Sequence, residues 1–280
     1  MAGKNMSNNP LSGYFRRPSI YISLPSGGKY WPPGTLQPSE TGELPVYPMT
    51  AIDDITYRTP DALFSGQAVV DVVQSCMPNI KNAWAIPSVD LDTILVSIRI
   101  ASSGHTMEID TTCPECEEEA RFDLDLRVVM EQIKIPDYST QVSLGDLRVQ
   151  FKPLNFKQLT DNNAIQYEEQ RVLQAVTNDD ISEEQRLEVV NNAFKKLSSL
   201  TVKAVQEGIH FIETPETRVD NPEHITEFLR NCENSVFDAL KNKIVSLREE
   251  AKMDPLTIEC PSCKHKYTQP FTLNMTDFFG

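Results

Sequence analysis

Two short cysteine motifs constrain this chain more than anything else in it. "CPEC" holds Cys113 and Cys116, and "CPSC" holds Cys260 and Cys263. The two-residue spacing lets a tight turn aim both thiolates at one ion while backbone N–H groups reach the sulfurs. Each motif is preceded by a strand-like run and followed by another, "HTMEIDTTC" and "ARFDLDL" in one case, "LTIEC" and "KYTQPFTL" in the other. That is the strand–knuckle–strand form of a zinc ribbon, split into halves about 140 residues apart instead of the usual spacing of about 15–20. A shared site closes the chain on itself and leaves the residues between looping out.

Four cysteine ligands leave no open coordination position, so the expected zinc is structural, not catalytic. The alternative is two independent reduced dithiols. A thioredoxin-like redox motif lacks its strand–CxxC–helix order here. Glu115, Glu117, Glu118 and Glu119 crowd the first knuckle. Lys264, His265 and Lys266 flank the second, where they offset the charge of about −2 that a zinc with four thiolates carries. Replacement of one cysteine by His265 is a minor alternative. Cys76 and Cys232 fall within helical patterns and read as small core residues.

The rest of the chain reads α+β: a mixed N-terminal part, a split zinc-ribbon-like β element and a large helical insertion. The expected organisation is a flexible arm over 1–17, a mixed α/β core over 18–153 together with 254–280, and a helical block over 154–253. Ile20 to Leu24 and Leu44 to Tyr47 read as short strands. Thr59, Pro60 and Asp61 open a helix that carries Leu63, Val69, Val70, Val72 and Val73 and stops before Pro78. A second helix begins after Pro87, with Ser88 or Asp90 near its start. It presents Leu91, Ile94, Leu95 and Ile98 and stops at Gly104. "LRVQFKPL" is a further strand. Asn155 with Gln158, and Ser182 with Gln185, have the spacing of helix-start pairs. Asn221 and Pro222 open another helix, or a pair broken near Asn234.

With 280 residues, 40% hydrophobic content and 19 prolines, the chain has room for one large or two ordinary domains with long connections. A net charge of −14 argues against gripping nucleic acid through its phosphates or docking on an anionic membrane. The acid is uneven: Lys4, Arg16, Arg17 and Lys29 precede Glu40 with no acidic residue among them. That basic arm either reaches an acidic partner or is a solvated tail. No apolar run approaches the roughly 20 residues of a membrane span, and the N-terminus has no signal-peptide core. Synthesis in a reducing cytosol is the expectation.

No catalytic constellation stands out. "SIYISLPSGGKYWPPG" ends a strand in Gly-Gly-Lys but fails as a phosphate loop. Ser23 stands where the first glycine belongs, Tyr30 where the magnesium-binding hydroxyl belongs, and Pro32 and Pro33 follow instead of a helix. Gly27 and Gly28 read as a shaped turn. His105, His210, His224 and His265 have no ligand spacing. Asp53 with Asp54, and Asp90 with Asp92, read as helix-start or surface charges. Arg99, amid apolar residues, is expected to be buried against one of those aspartates. The chain is therefore read as a non-enzyme with no small-molecule substrate.

The order of motifs resembles the baseplate hub proteins of T-even-like contractile-tailed bacteriophages. "RRPSIYISLPSGGKYW" is similar to that family's opening strand and turn. "VYPMTAIDDITYRTPDALFSGQAVVDVVQSCMP" resembles its middle motif, and "VDLDTILVSIRIASSGHTMEIDTTCPEC" the next. "CPSC" and a terminal "DFFG" close the chain. The resemblance implies a structural or assembly protein of a phage tail baseplate, near the central hub, carried in the virion and made in the host cytoplasm. Its partners would be other baseplate, hub or tail proteins. The stretch at 19–34 would then be an interaction element, with Arg16, Arg17, Tyr30 and Trp31 as partner contacts; intramolecular packing is the alternative for the same four. Two other readings remain open: a hub-assembly chaperone absent from the mature particle, and a zinc-ribbon regulatory protein acting on nucleic acid or a polymerase.

Overall fold

The computed structural model describes residues 9–58, 65–178 and 183–269 and has an α+β fold. Thr59, Pro60, Asp61, Leu63, Ser182 and the terminal "DFFG" lie outside the described residues. Within the arm, Pro10–Tyr14 forms a short 3-10 helix capped by Asn9.

Strand β1 (Ile20–Ser23) pairs antiparallel with β2 (Glu43–Val46), Ile22 opposite Leu44. The short helix α1 (Ala51–Tyr57) follows. The sequence reading missed it, although Thr50 and Asp53 carry the signal. Each side chain bonds the other's backbone N–H, a reciprocal cap at the helix start. Helix α2 (Gln67–Cys76) buries Val69, Val70, Val72 and Val73. Helix α3 (Ser88–Ser103) starts after Pro87 and stops at Gly104, as expected; Gly104 adopts a φ of 85° that other residues resist. These elements form one hydrophobic cluster, in which Val46, Tyr57, Ile94 and Ile98 are almost fully buried.

Strands β3 (Thr106–Thr112) and β4 (Glu119–Asp125) make an antiparallel hairpin, and α4 (Leu126–Gln132) follows it. A second hairpin, β9 (Leu256–Glu259) with β10 (Lys266–Gln269), comes from the far end of the described chain. Leu256 and Ile258 enter the same cluster as Leu124 and Leu126. The C-terminal hairpin thus belongs to the N-terminal core.

The segment between is not wholly helical. Helices α5 (Phe156–Asn178) and α6 (Glu183–Gly208) are followed by strands β7 (Ile209–Glu213) and β8 (Arg218–Val219). Both strands extend the hairpin of β5 (Val142–Leu144) and β6 (Leu147–Phe151) into an antiparallel sheet ordered β5-β6-β7-β8. "IHFIE" starts with the alternation of a strand, apolar Ile209 and Phe211 inward and His210 outward. The helical pattern running up to it masked that signal. Helices α7 (Pro222–Asn231) and α8 (Asn234–Glu250) then complete a second cluster. This cluster includes Val149 and Phe151 of β6. Gly208 marks a close approach: a Cβ there would sit 2.9 Å from Ile244 Cδ1.

The two clusters meet at Asn155. Its backbone N–H and side chain exchange hydrogen bonds with Gln158, as the spacing predicts. Ser88 N–H donates to the Leu154 carbonyl, Phe156 N–H donates to that of Ile86, and the Phe156 ring stacks on Trp84 at 5.4 Å.

Asp53, Asp54 and Asp90 bear out the helix-start reading. Asp53 and Asp54 do sit at a helix start. Asp90 lies in the first turn of α3, but it is no surface charge: it is fully buried. Its Oδ1 accepts the Ser26 N–H at 2.8 Å; its Oδ2 accepts the Ser26 hydroxyl at 2.6 Å and the Trp31 indole N–H at 2.7 Å. Three donors and a helix N-terminus stand in for water. The Gly-Gly turn, with φ of 59° and 82°, is shaped to present Ser26 and Trp31 to that carboxylate.

Replacing Asp90 by alanine leaves those donors buried without an acceptor. The expected loss in urea denaturation is about 3 kcal/mol. Asp54→Ala, which removes an exposed pair with Arg58, should stay within about 0.5 kcal/mol.

Candidate metal centre

The two knuckles are built alike. In the first, Cys113 N–H donates to the Glu118 carbonyl at 2.9 Å, and Glu117 N–H returns to the Cys113 carbonyl at 2.9 Å. In the second, Cys260 N–H donates to the His265 carbonyl at 2.9 Å, and Lys264 N–H returns to that of Cys260 at 3.0 Å. To close these turns, Glu117 and Lys264 take left-handed φ angles of 57° and 63°. Among the described residues only these two non-glycines do so. Identical local geometry at the two ends of the insertion follows from identical Cys-Pro-x-Cys spacing.

The structure brings Cys113, Cys116, Cys260 and Cys263 together, with all four sulfurs within 4.8 Å of one another. Cys113 Sγ lies 3.7 Å from Cys263 Sγ, and Cys116 Sγ lies 3.6 Å from Cys260 Sγ. A disulfide needs about 2.05 Å, so these are not disulfides. Sulfurs placed about 2.3 Å from a central zinc define a tetrahedron with edges of about 3.8 Å. The distances and the all-sulfur donor set fit a tetrahedral metal site. The site is half sheltered: Cys113 and Cys260 are buried, Cys116 and Cys263 exposed.

Electrostatics points the same way. The backbone N–H of Cys263 holds the Cys260 thiol down at about 7; the Ser262 N–H helps it against burial. At Cys116 the Glu118 N–H pulls downward, but the neighbouring Cys263 thiol, burial and the other two thiols push the group up to about 12. Sulfurs this close cannot all ionise without a cation between them.

The hairpins also touch beyond the sulfurs. Tyr267 Oη donates to Thr111 Oγ1 at 3.1 Å, joining β10 to β3, and Ile109, Phe122 and Tyr267 pack on the first core. Lys266 pairs with Glu259 at 3.7 Å. His265 supplies its carbonyl to the knuckle and stacks its ring with Tyr267, so the sulfur set is complete without it. Cys76 is a core residue whose thiol burial pushes up to about 12. Cys232 departs from expectation: it is part-exposed at the end of α7.

The residues singled out as partner contacts divide. Trp31 is only 9% exposed and is held by Asp90. Arg16 acts as an internal staple. It donates to the Pro48 carbonyl at 2.6 Å and to the Ser75 carbonyl and hydroxyl at 2.8 Å, and pairs with Asp53 at 3.3 Å. Tyr30 meets Tyr138 edge-on at 5.8 Å. Arg17 is exposed and, among the described residues, bonds only the nearby Gly13 carbonyl. Around this arm the structure exposes large apolar groups that the sequence reading passed over: Tyr14 at 87%, Phe15, Ile52 at 74% and Ile55. The spacing of Ile52 and Ile55, with Asp53 and Tyr57 buried on the opposite side, becomes a signal only once α1 is recognised.

Glycine at position 264 should relieve the left-handed strain. Lys264→Gly is expected to leave metal content unchanged and to raise stability by up to about 1 kcal/mol, read from the urea midpoint.

Residues 49–280 match the family model described as T4 bacteriophage base plate protein. No curated protein and no solved structure matches the chain.

Proposed function

The chain belongs to the T4 bacteriophage base plate protein family, and from that premise we propose that it is a structural protein of the contractile-tail baseplate. It acts at or near the central hub through contacts with other tail proteins and carries a structural zinc. Family membership over most of the chain is the observation that carries this reading. The motif order from "RRPSIYISLPSGGKYW" to "CPSC" supports the hub in particular.

Cys113, Cys116, Cys260 and Cys263 are the zinc ligands. Four protein ligands leave no place for a substrate or an activated water, so the ion's role is to hold the two hairpins together. Zinc suits this site because it has no redox chemistry to expose at a half-open surface. The chain works as a scaffold without catalysis, and its net charge of −14 favours protein contacts over nucleic acid. Arg17, with the exposed Tyr14, Phe15, Ile52 and Ile55, forms the contact surface; apolar side chains around an arginine are the usual composition of an interface core.

Purified protein should hold about one zinc per chain and be colourless; a four-thiolate iron site would absorb visible light. Cys260→Ser should lose the zinc and lower the denaturation midpoint, because binding energy here is also folding energy. Thiolates are the ligating form, so acidification should release the ion and neutral or alkaline pH retain it. A metal-free wild type of equal stability would contradict the zinc reading.

The baseplate reading is tested by mass spectrometry of purified particles and of hub assembly intermediates. Stoichiometric copies in both support it. Presence in intermediates and absence from particles would identify an assembly chaperone instead.

A further inference from the structure

Between the two cores lies a cavity of about 620 Å³, within the range of about 300–1,000 Å³ in which proteins hold ligands. Leu197, Leu200 and Ala204 of α6 and Ile244 and Val245 of α8 supply apolar walls. Helix α5 supplies amides. Asn162, Gln166 and Gln170 all line the cavity, and their four-residue spacing stacks them in a row on one face of α5. Asn162 Oδ1 is buried and receives no hydrogen bond among the described residues, although its Nδ2 donates to Glu207 at 3.0 Å. Gln166 and Gln170 are exposed, so solvent reaches the cavity along this row.

The charge of the lining is opposite to that of the chain. Lys134, Lys152, Lys241 and Arg248 face one carboxylate, Asp92, in a protein of net charge −14. Lys134 is paired with Asp254 at 2.7 Å and Lys241 with Asp238 at 3.4 Å. Among the described residues Lys152 and Arg248 form no ion pair within 4.0 Å. Glu207 acts on Lys152 from a distance, but its oxygens are already engaged by Asn162 and Lys203. Surplus positive charge beside apolar walls selects an anionic ligand with an apolar part.

The amide row narrows the class. A fatty acid has no polar group along its tail to meet three amides. An extended peptide does, because each of its peptide units donates and accepts at once, as a side-chain amide also does. Side chains four residues apart on a helix repeat about every 6 Å. An extended chain repeats its backbone groups on one side every second residue, about every 6.6 Å. The two spacings run in step over the length of the row, and a backbone N–H supplies the donor that Asn162 Oδ1 lacks.

We infer that the cavity binds an extended, acidic and apolar segment of a partner protein. Its backbone lies along Asn162, Gln166 and Gln170, its apolar side chains pack on α6 and α8, and an acidic side chain meets Lys152 and Arg248. The site is separate from the surface around Arg17 and does not depend on the metal.

The test selects a displayed library of random short peptides on the full chain and measures the affinity of the winners by calorimetry. Peptides that combine Asp or Glu with apolar residues are expected. Arg248→Glu should weaken them about tenfold or more, the loss of a charged hydrogen-bond partner. Gln166→Ala should weaken winners of different sequence alike, by about threefold, because it removes a backbone contact. Lys195→Glu, a charge reversal at an exposed site of α6 outside the lining, should leave affinity unchanged. An unchanged melting curve establishes that each variant is native. No enrichment, enrichment of basic or uncharged peptides, or affinity indifferent to either lining variant would each overturn the proposal. Dodecanoate is tested in parallel; its binding in an Arg248-dependent manner, with no peptide selected, would assign the cavity to a lipid-like anion instead.

Discussion

The convergence of four sulfurs from two hairpins is the constraint on which the architecture depends. Cys116 and Cys260 stand 144 residues apart in the chain and 3.6 Å apart in space. Closing a loop of that length costs about 4–5 kcal/mol in chain entropy. The apolar contacts of Leu256, Ile258 and Tyr267 with the first core offset part of that cost. A metal ion bound by thiolates from both ends would supply far more, about 10 kcal/mol or above. The two hairpins are small, and neither has a core of its own. Each is stable only against the other and against the N-terminal helices. The four sulfurs, two buried and two exposed, are compatible with a metal site that joins the two hairpins.

A second device holds the N-terminal stretch. Among the described residues Asp90 has no cationic partner, yet its oxygens accept bonds from Ser26 and Trp31. A glycine pair, a serine and a tryptophan that resemble a nucleotide loop are in fact organised around one carboxylate. Arg16 does similar work at Pro48, Asp53 and Ser75, tying the arm to α1 and α2. Arg16 and Trp31, which looked like contact anchors, are thus spent inside the chain. The exposed apolar groups around them remain outside. For a protein of an assembly family that division is sensible: polar anchors give the arm a fixed shape, and a fixed shape lowers the ordering cost when a partner binds.

Between closure site and arm, the insertion forms a second core, with a sheet that borrows its first hairpin from the preceding segment. Val149 and Phe151 pack with Ile209 and Leu240, so the insertion is rooted in the chain on both sides. Its junction with the first core carries both the Asn155–Gln158 cap and the Phe156–Trp84 stack. The cavity lies at this seam because two separately packed cores leave unfilled space where they meet.

Sequence alone determined much of what depends on near neighbours. The Cys-x-x-Cys turns, the start of α3 after Pro87, its stop at Gly104, the Asn155 cap and the alternation of β3, β4, β9 and β10 are all local, and all were legible. The four-sulfur site could be anticipated because each half is a complete local motif and only its pairing was inferred. Tertiary structure alone decided which acid is buried, where Arg16 ends and where β7 joins the sheet. Asp90 finds Ser26 from 64 residues away, and Arg16 finds Asp53 from 37. No periodicity or cap encodes such a meeting. A carboxylate on a helix start reads the same whether it faces water or a tryptophan, and only the packing of distant segments settles which.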